Sequence, residues 1–216
     1  MKNLFYGQGC DEYIRMNFFP DYSYIGTVIE VGGGTPEFLS MSRHFKINGW
    51  RTVIVEPNPG FAEQHRTFGN EVFECAASDK EEDNADFTIF TQLPNTLSNQ
   101  HSITDHSFSS LGLKLKENYE KFGNYAAQAI PKQAIKVKVR KLDTIIEEAK
   151  LSKIDVLAID VEGWELEVMR GLTSIMPTIV VLENLSLDPL YEQYMDKIGY
   201  EKVINIHINY IFKRKQ

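Results

Sequence analysis

The chain has 216 residues, 43% of them hydrophobic and 25% charged, an ordinary composition for one globular domain of the larger sort. A formal net charge of −7 argues against broad electrostatic attachment to nucleic acid. The two cysteines, Cys10 and Cys75, make neither a metal pattern nor a disulfide framework; no apolar run approaches the ~20 residues of a membrane span, and the start Met1-Lys2-Asn3-Leu4 lacks a signal-peptide core, so a reducing, cytoplasmic setting is expected.

In chain order, the first predicted strand is Thr27–Val31, followed by a helix over about Pro36–Asn48 that Gly49 closes. The strand Thr52–Val55 leads into Glu56-Pro57-Asn58-Pro59 and a helix over Gly60–Phe68. A third strand, Val72–Ala76, runs into Ala77 and Ser78, and Phe87–Thr91 alternates weakly as a further short strand. Residues 92–133 break the pattern; they are rich in Asn, Ser, Thr and His and turn helix-like around Leu113–Phe122, as expected of a polar lid or insertion. Alternation resumes at Ile135–Val139, followed by the helix Leu142–Lys150, the strand Ile154–Ile159 and the helix Trp164–Met176. Thr178–Leu182, the helix Pro189–Ile198 and two closing strands, near Lys202–Asn205 and Ile208–Lys213, complete the chain. Alternating strands and helices predict a doubly wound α/β sheet in a single domain, and the short last connection predicts an antiparallel final pair.

The stretch Glu30-Val31-Gly32-Gly33-Gly34-Thr35-Pro36 is the most informative. A strand end rich in glycine lets a ligand approach the backbone closely. Thr35 and Pro36 suit the N-cap and first position of the helix that follows. The dinucleotide pattern G-x-G-x-x-G is broken by Glu37, whose carboxylate would repel a pyrophosphate there. A cationic, phosphate-free nucleoside such as S-adenosylmethionine fits Glu30 and Glu37 better. Gly32, Gly33, Gly34, Ala77 and Ser78 are therefore expected cofactor contacts.

Four predicted strands finish on acid, at Glu30, Glu56, Asp160 and Glu183. Open parallel sheets bind ligands beyond the carboxyl ends of their strands, so these acids should converge on one rim. Glu56 is expected to accept hydrogen bonds from a ribose diol, Glu30 to hold an ammonium group, and Asp160 to face the reacting end of the cofactor or the acceptor hydroxyl. Glu183 reads equally as a substrate-orienting or a structural group, Asp143 as a helix cap, and Glu165 and Glu167 as solvent-facing.

In this order and at these spacings the motifs resemble the FkbM family of S-adenosylmethionine-dependent methyltransferases. The residues that carry the resemblance are Tyr6–Glu12, Glu30–Gly34, Gly49-Trp50-Arg51, Val55–Asn58, Val139–Thr144, Ile159–Gly171 and Val181-Leu182-Glu183. The resemblance implies a class I, Rossmann-like, seven-stranded methyltransferase sheet with an antiparallel last strand. It also implies O-methylation of sugar, glycan or natural-product hydroxyls. A sugar hydroxyl is weakly acidic, so a general base is expected, the candidates being Asp160, Glu162, His101 and His106. A divalent ion held by Asp160, Glu162 and Glu183 is the rival device, though no metal requirement is predicted. Trp164, Tyr119 and Tyr125 are candidates for stacking on a sugar face. The alternatives are an NAD-dependent oxidoreductase and a non-catalytic binding module of the same fold that assists a glycosyltransferase partner.

Overall fold

The structure, a computed structural model, describes residues 4–92, 109, 111 and 129–216. Its first half contains α1 (Cys10–Phe18), β1 (Thr27–Val31), α2 (Arg43–Ile47), β2 (Arg51–Val55), α3 (Pro59–Thr67), β3 (Glu71–Phe73), β4 (Ala76–Ala77) and β5 (Glu82–Gln92). Then come β6 (Ala129–Arg140), α4 (Leu142–Glu148), β7 (Val156–Ile159), α5 (Glu165–Arg170), β8 (Ile179–Glu183), α6 (Leu190–Lys197), β9 (Tyr200–Ile206) and β10 (Asn209–Arg214). Seven strands form the main sheet in the order β3-β2-β1-β7-β8-β10-β9. The first five run parallel, and β10 is antiparallel to both its neighbours. The doubly wound sheet with an antiparallel last strand is thus the one the sequence predicts.

Both faces of this sheet are covered, which is why its central strands read as continuous apolar runs rather than alternating ones. Ile29, Val53, Leu157 and Val180 face one way and pack against Leu142 and Ile145 of α4, Val168 of α5 and Met195 of α6. Their neighbours Val28, Val156 and Ile179 face the other way, against Cys10 and Ile14 of α1, Phe45 of α2 and Trp50.

Several elements differ from expectation. The helix predicted from Pro36 begins only at Arg43. The Glu30 carboxylate draws the intervening chain inward: it accepts hydrogen bonds from the Ser40 hydroxyl, from both the N–H and hydroxyl of Ser42, and from Met41 N–H at 2.6 Å. Leu39 adopts a left-handed φ of 54° on the way, and Thr35 accepts only from Phe38 N–H. Helix α5 stops at Arg170 rather than Met176. A Cβ on Gly171 would lie 2.2 Å from the Ser78 carbonyl, so no larger residue fits there. Asp143 does not cap its own helix; its carboxylate accepts from the N–H and hydroxyl of both Thr173 and Ser174, tying α4 to the loop after α5. Desolvation pushes that carboxyl up, but the four bonds together outweigh it and hold it at about 2.

A second sheet, ordered β4-β6-β5, was only partly legible. Strand β5 begins at Glu82, in a charged stretch that carries no apolar alternation. Cross-strand pairing supplies the order instead: Arg140 on β6 bonds Asp83 at 2.7 Å. Strand β6 reaches back to Ala129, inside the segment expected to be a polar insertion. Most of the remainder of that segment lies outside the described residues, including the expected helix at Leu113–Phe122, Tyr119 and Tyr125.

Candidate active site

From β1 the chain winds outward to β2 and β3 on one side and to β7 and β8 on the other. Such a reversal of strand order opens a crevice beyond the carboxyl ends. Here it holds a cavity of about 280 Å³, near the lower end of the usual range for ligand pockets.

The three glycines at its edge serve different ends. Gly32, at φ 78°, extends the ladder by donating to the Val55 carbonyl, and a Cβ on it would lie 1.8 Å from the Asp160 carbonyl oxygen. Gly33 has Ile54 against it, at 2.5 Å from a Cβ. Only Gly34, at φ 52°, faces open space. Two of the three are thus demanded by packing of the chain on itself, and one leaves room for something else.

Glu56 lies at the end of β2 with its side chain nearly buried. It accepts from Gly34 N–H at 2.9 Å and Asn58 N–H at 2.7 Å. Burial pushes its carboxyl up to about 7 against the pull of those two bonds, with a further push from Glu30. Glu30, likewise raised to about 7 by burial, lines the cavity while its oxygens are engaged by Ser40, Met41 and Ser42. It therefore anchors the loop before α2, a role that nothing in the sequence indicated.

Across the cavity stand Asp160, Glu162 and Glu183, with one oxygen of each within 4.8 Å of the others. Loss of solvation in the crevice raises both Asp160 and Glu183, although Asp160 is itself exposed at the crevice mouth, and the two carboxyls are hydrogen-bonded to each other. Glu183 is pushed up furthest, since the charges of Asp160, Glu162 and Glu165 add to its desolvation, so the pair titrates as a unit that resists double ionisation. Glu162 and Gly163 adopt consecutive left-handed conformations, φ 59° and 93°. Glu165 holds this turn: its Oε1 accepts from Val161 N–H (3.1 Å) and Gly163 N–H (3.0 Å), and its Oε2 from the Tyr191 hydroxyl (2.5 Å). Glu165 is 1% exposed, not solvent-facing as expected, and burial raises it to about 7.

Among the expected contacts, Glu30, Gly32, Gly33, Gly34, Glu56, Ala77, Asp160, Glu162, Glu183 and Trp164 all line the cavity. Ser78 does not: it is fully buried, and its N–H donates to the Arg140 carbonyl. Glu37, the residue invoked against a pyrophosphate, points into solvent near Arg43. The acid character of the cavity rests instead on Glu30, Glu56, Asp160, Glu162 and Glu183, and no Lys, Arg or His is among the described residues that line it. His101 and His106 lie outside the described residues. Gln8 and Asn209 also reach the cavity, and the Asn209 amide donates to Gln8 at 3.3 Å. Gln8 belongs to the Tyr6–Glu12 stretch that carries the family resemblance but was given no role, and Asn209 was missed, since it follows no apolar run. The Cys75 thiol, pushed up to about 12 by burial, is the inert core group expected.

A doubly wound sheet with a carboxylate-lined crevice at its switch point, free of Lys, Arg and His among the described residues, is the arrangement of an α/β fold that takes its ligand beyond the carboxyl ends of the strands. The chain belongs to the FkbM family of S-adenosylmethionine-dependent methyltransferases: the model of the methyltransferase FkbM domain matches residues 30–202. No curated protein sequence matches it. Among the described residues no helix is long and apolar enough to cross a membrane.

Proposed function

We propose that the cavity binds S-adenosylmethionine and that the enzyme methylates a hydroxyl of a sugar or glycan. One observation carries the reading: several carboxyls and no cationic side chain among the described lining residues surround an open glycine, Gly34. Such a lining favours a sulfonium and an ammonium and opposes a pyrophosphate, which weighs against the oxidoreductase alternative. Glu56 would take the ribose diol with the lone pairs that Gly34 and Asn58 leave open. When bound, the cofactor supplies an electrophilic methyl group. Asp160, hydrogen-bonded to Glu183, would accept the hydroxyl proton of the acceptor as oxygen is alkylated. The test is calorimetric titration with S-adenosylmethionine and S-adenosylhomocysteine, followed by labelled-methyl transfer to a panel of sugars and glycans. Absence of binding by the folded protein overturns the cofactor assignment. Binding without transfer to any sugar, together with transfer to another class of hydroxyl, overturns the acceptor assignment.

A further inference from the structure

The peptide between Gly33 and Gly34 is held from both ends. Its N–H donates to Glu56 Oε2 at 2.9 Å, and its carbonyl lies 3.2 Å from Nε2 of His65, a fully buried residue of α3. Beyond His65 the chain of contacts continues: Nδ1 meets the Asn70 amide nitrogen at 2.9 Å, and the Asn70 carbonyl oxygen meets the Thr52 hydroxyl at 2.7 Å. A backbone carbonyl can only accept, so Nε2 must carry the proton. Nδ1 must then accept, which orients the Asn70 amide and leaves its oxygen to accept from Thr52. One carbonyl thus fixes every donor along the line. Burial holds the imidazole below its ordinary range, keeping it neutral.

We infer that His65 is a positioning residue for the cofactor loop: its Nε2–H locks the Gly33–Gly34 peptide against Glu56, so that this carboxylate presents its remaining lone pairs to the cavity. The inference rests on the proposed cofactor site for its consequence, but its geometry can be tested without any ligand. Nitrogen-15 correlation spectra of the wild-type imidazole at about pH 8 should show the Nε2–H tautomer. A histidine in the Nδ1–H form overturns the lock. With binding established for the wild type, His65→Phe should weaken S-adenosylhomocysteine at least tenfold while retaining native circular dichroism. His65→Gln, whose amide can donate to Gly33 and accept from Asn70, should recover most of that loss. Wild-type affinity in His65→Phe overturns the positioning role. Should that variant fail to fold, Asn70→Ala, which removes the amide that holds Nδ1 and so frees the ring to turn away from Gly33, takes its place with the same expected weakening and the same overturning result. If the wild type itself binds no cofactor, the spectra still decide the lock.

Discussion

The two walls of the cavity carry the same chemical group and treat it in opposite ways. On the β1–β2 wall, Glu30 and Glu56 are engaged by hydroxyls and backbone N–H groups, and each donor belongs to a loop that must be held. On the β7–β8 wall, Asp160 and Glu183 are hydrogen-bonded to each other and both are raised above the ordinary carboxyl range. Carboxylates given fixed donors act as struts, whereas a pair that must share one proton is poised to exchange it. On the proposed function, the first wall holds the ligand and the second does the chemistry.

The strongest way to break this contrast is Asp160→Asn. The amide keeps the shape and a hydrogen bond to Glu183 but cannot take a proton. Methyl transfer should fall roughly 10²–10⁴-fold, the usual worth of a positioned base. Cofactor affinity should change far less. A variant with unimpaired turnover would move the base elsewhere, and His101 and His106 would then be the next to test.

Gly32→Ala comes next, because Gly32 stands where the two walls meet. Its φ of 78° and the 1.8 Å approach to the Asp160 carbonyl leave no place for a methyl group. The substitution should cost about 3 kcal/mol or more, read from urea unfolding. A change under 1 kcal/mol would mean that β1 and β7 can separate at that point without penalty.

How much of this could be read in advance follows from the range of the interactions. The parallel strands and their acidic ends were legible, because a buried run followed by glycine or acid is a local signal. The start of α2 was not, since residues 36–42 look helical until Glu30, in another element, draws their donors inward. Glu165 was misread for the same reason: its first-turn position suggests exposure, but Tyr191 and the Glu162–Gly163 turn enclose it. His65 gave no signal at all, because Gly33 becomes its neighbour only once β1 and α3 are packed.

A third effect concerns pH. Glu30, Glu56 and Glu165, each near 7 in the fold against an ordinary value of 4.5, bind protons more tightly folded than unfolded. Their contribution to stability is full below pH 4.5 and is lost as pH rises through 7. Two buried imidazoles, His44 and His65, are shifted below 6.5 and oppose this as pH falls through that value. Asp143, held at about 2, adds stability above 3.8 that is lost on further acidification. The three carboxyls outweigh the two imidazoles, so stability is expected to fall as pH rises from about 5 to about 8. A profile that climbs steadily to pH 8 would show that the β1–β2 carboxyls are ionised in the fold.

The finest comparison lies within the loop, between Gly32 and Gly34. A Cβ at Gly34 meets none of the described residues within 4 Å, so Gly34→Ala carries the strain of a left-handed alanine, about 1 kcal/mol. Its methyl would nevertheless project into the space assigned to the adenosyl group, next to the Glu56 carboxylate that Gly34 N–H engages. Stability should therefore barely change while S-adenosylhomocysteine affinity falls at least tenfold, the reverse of the pattern at Gly32, where stability is the quantity lost. Near wild-type affinity in Gly34→Ala would mean that the ligand stands clear of this glycine. The open space would then be incidental, and the holding role would shift to Glu56 and the far end of the crevice.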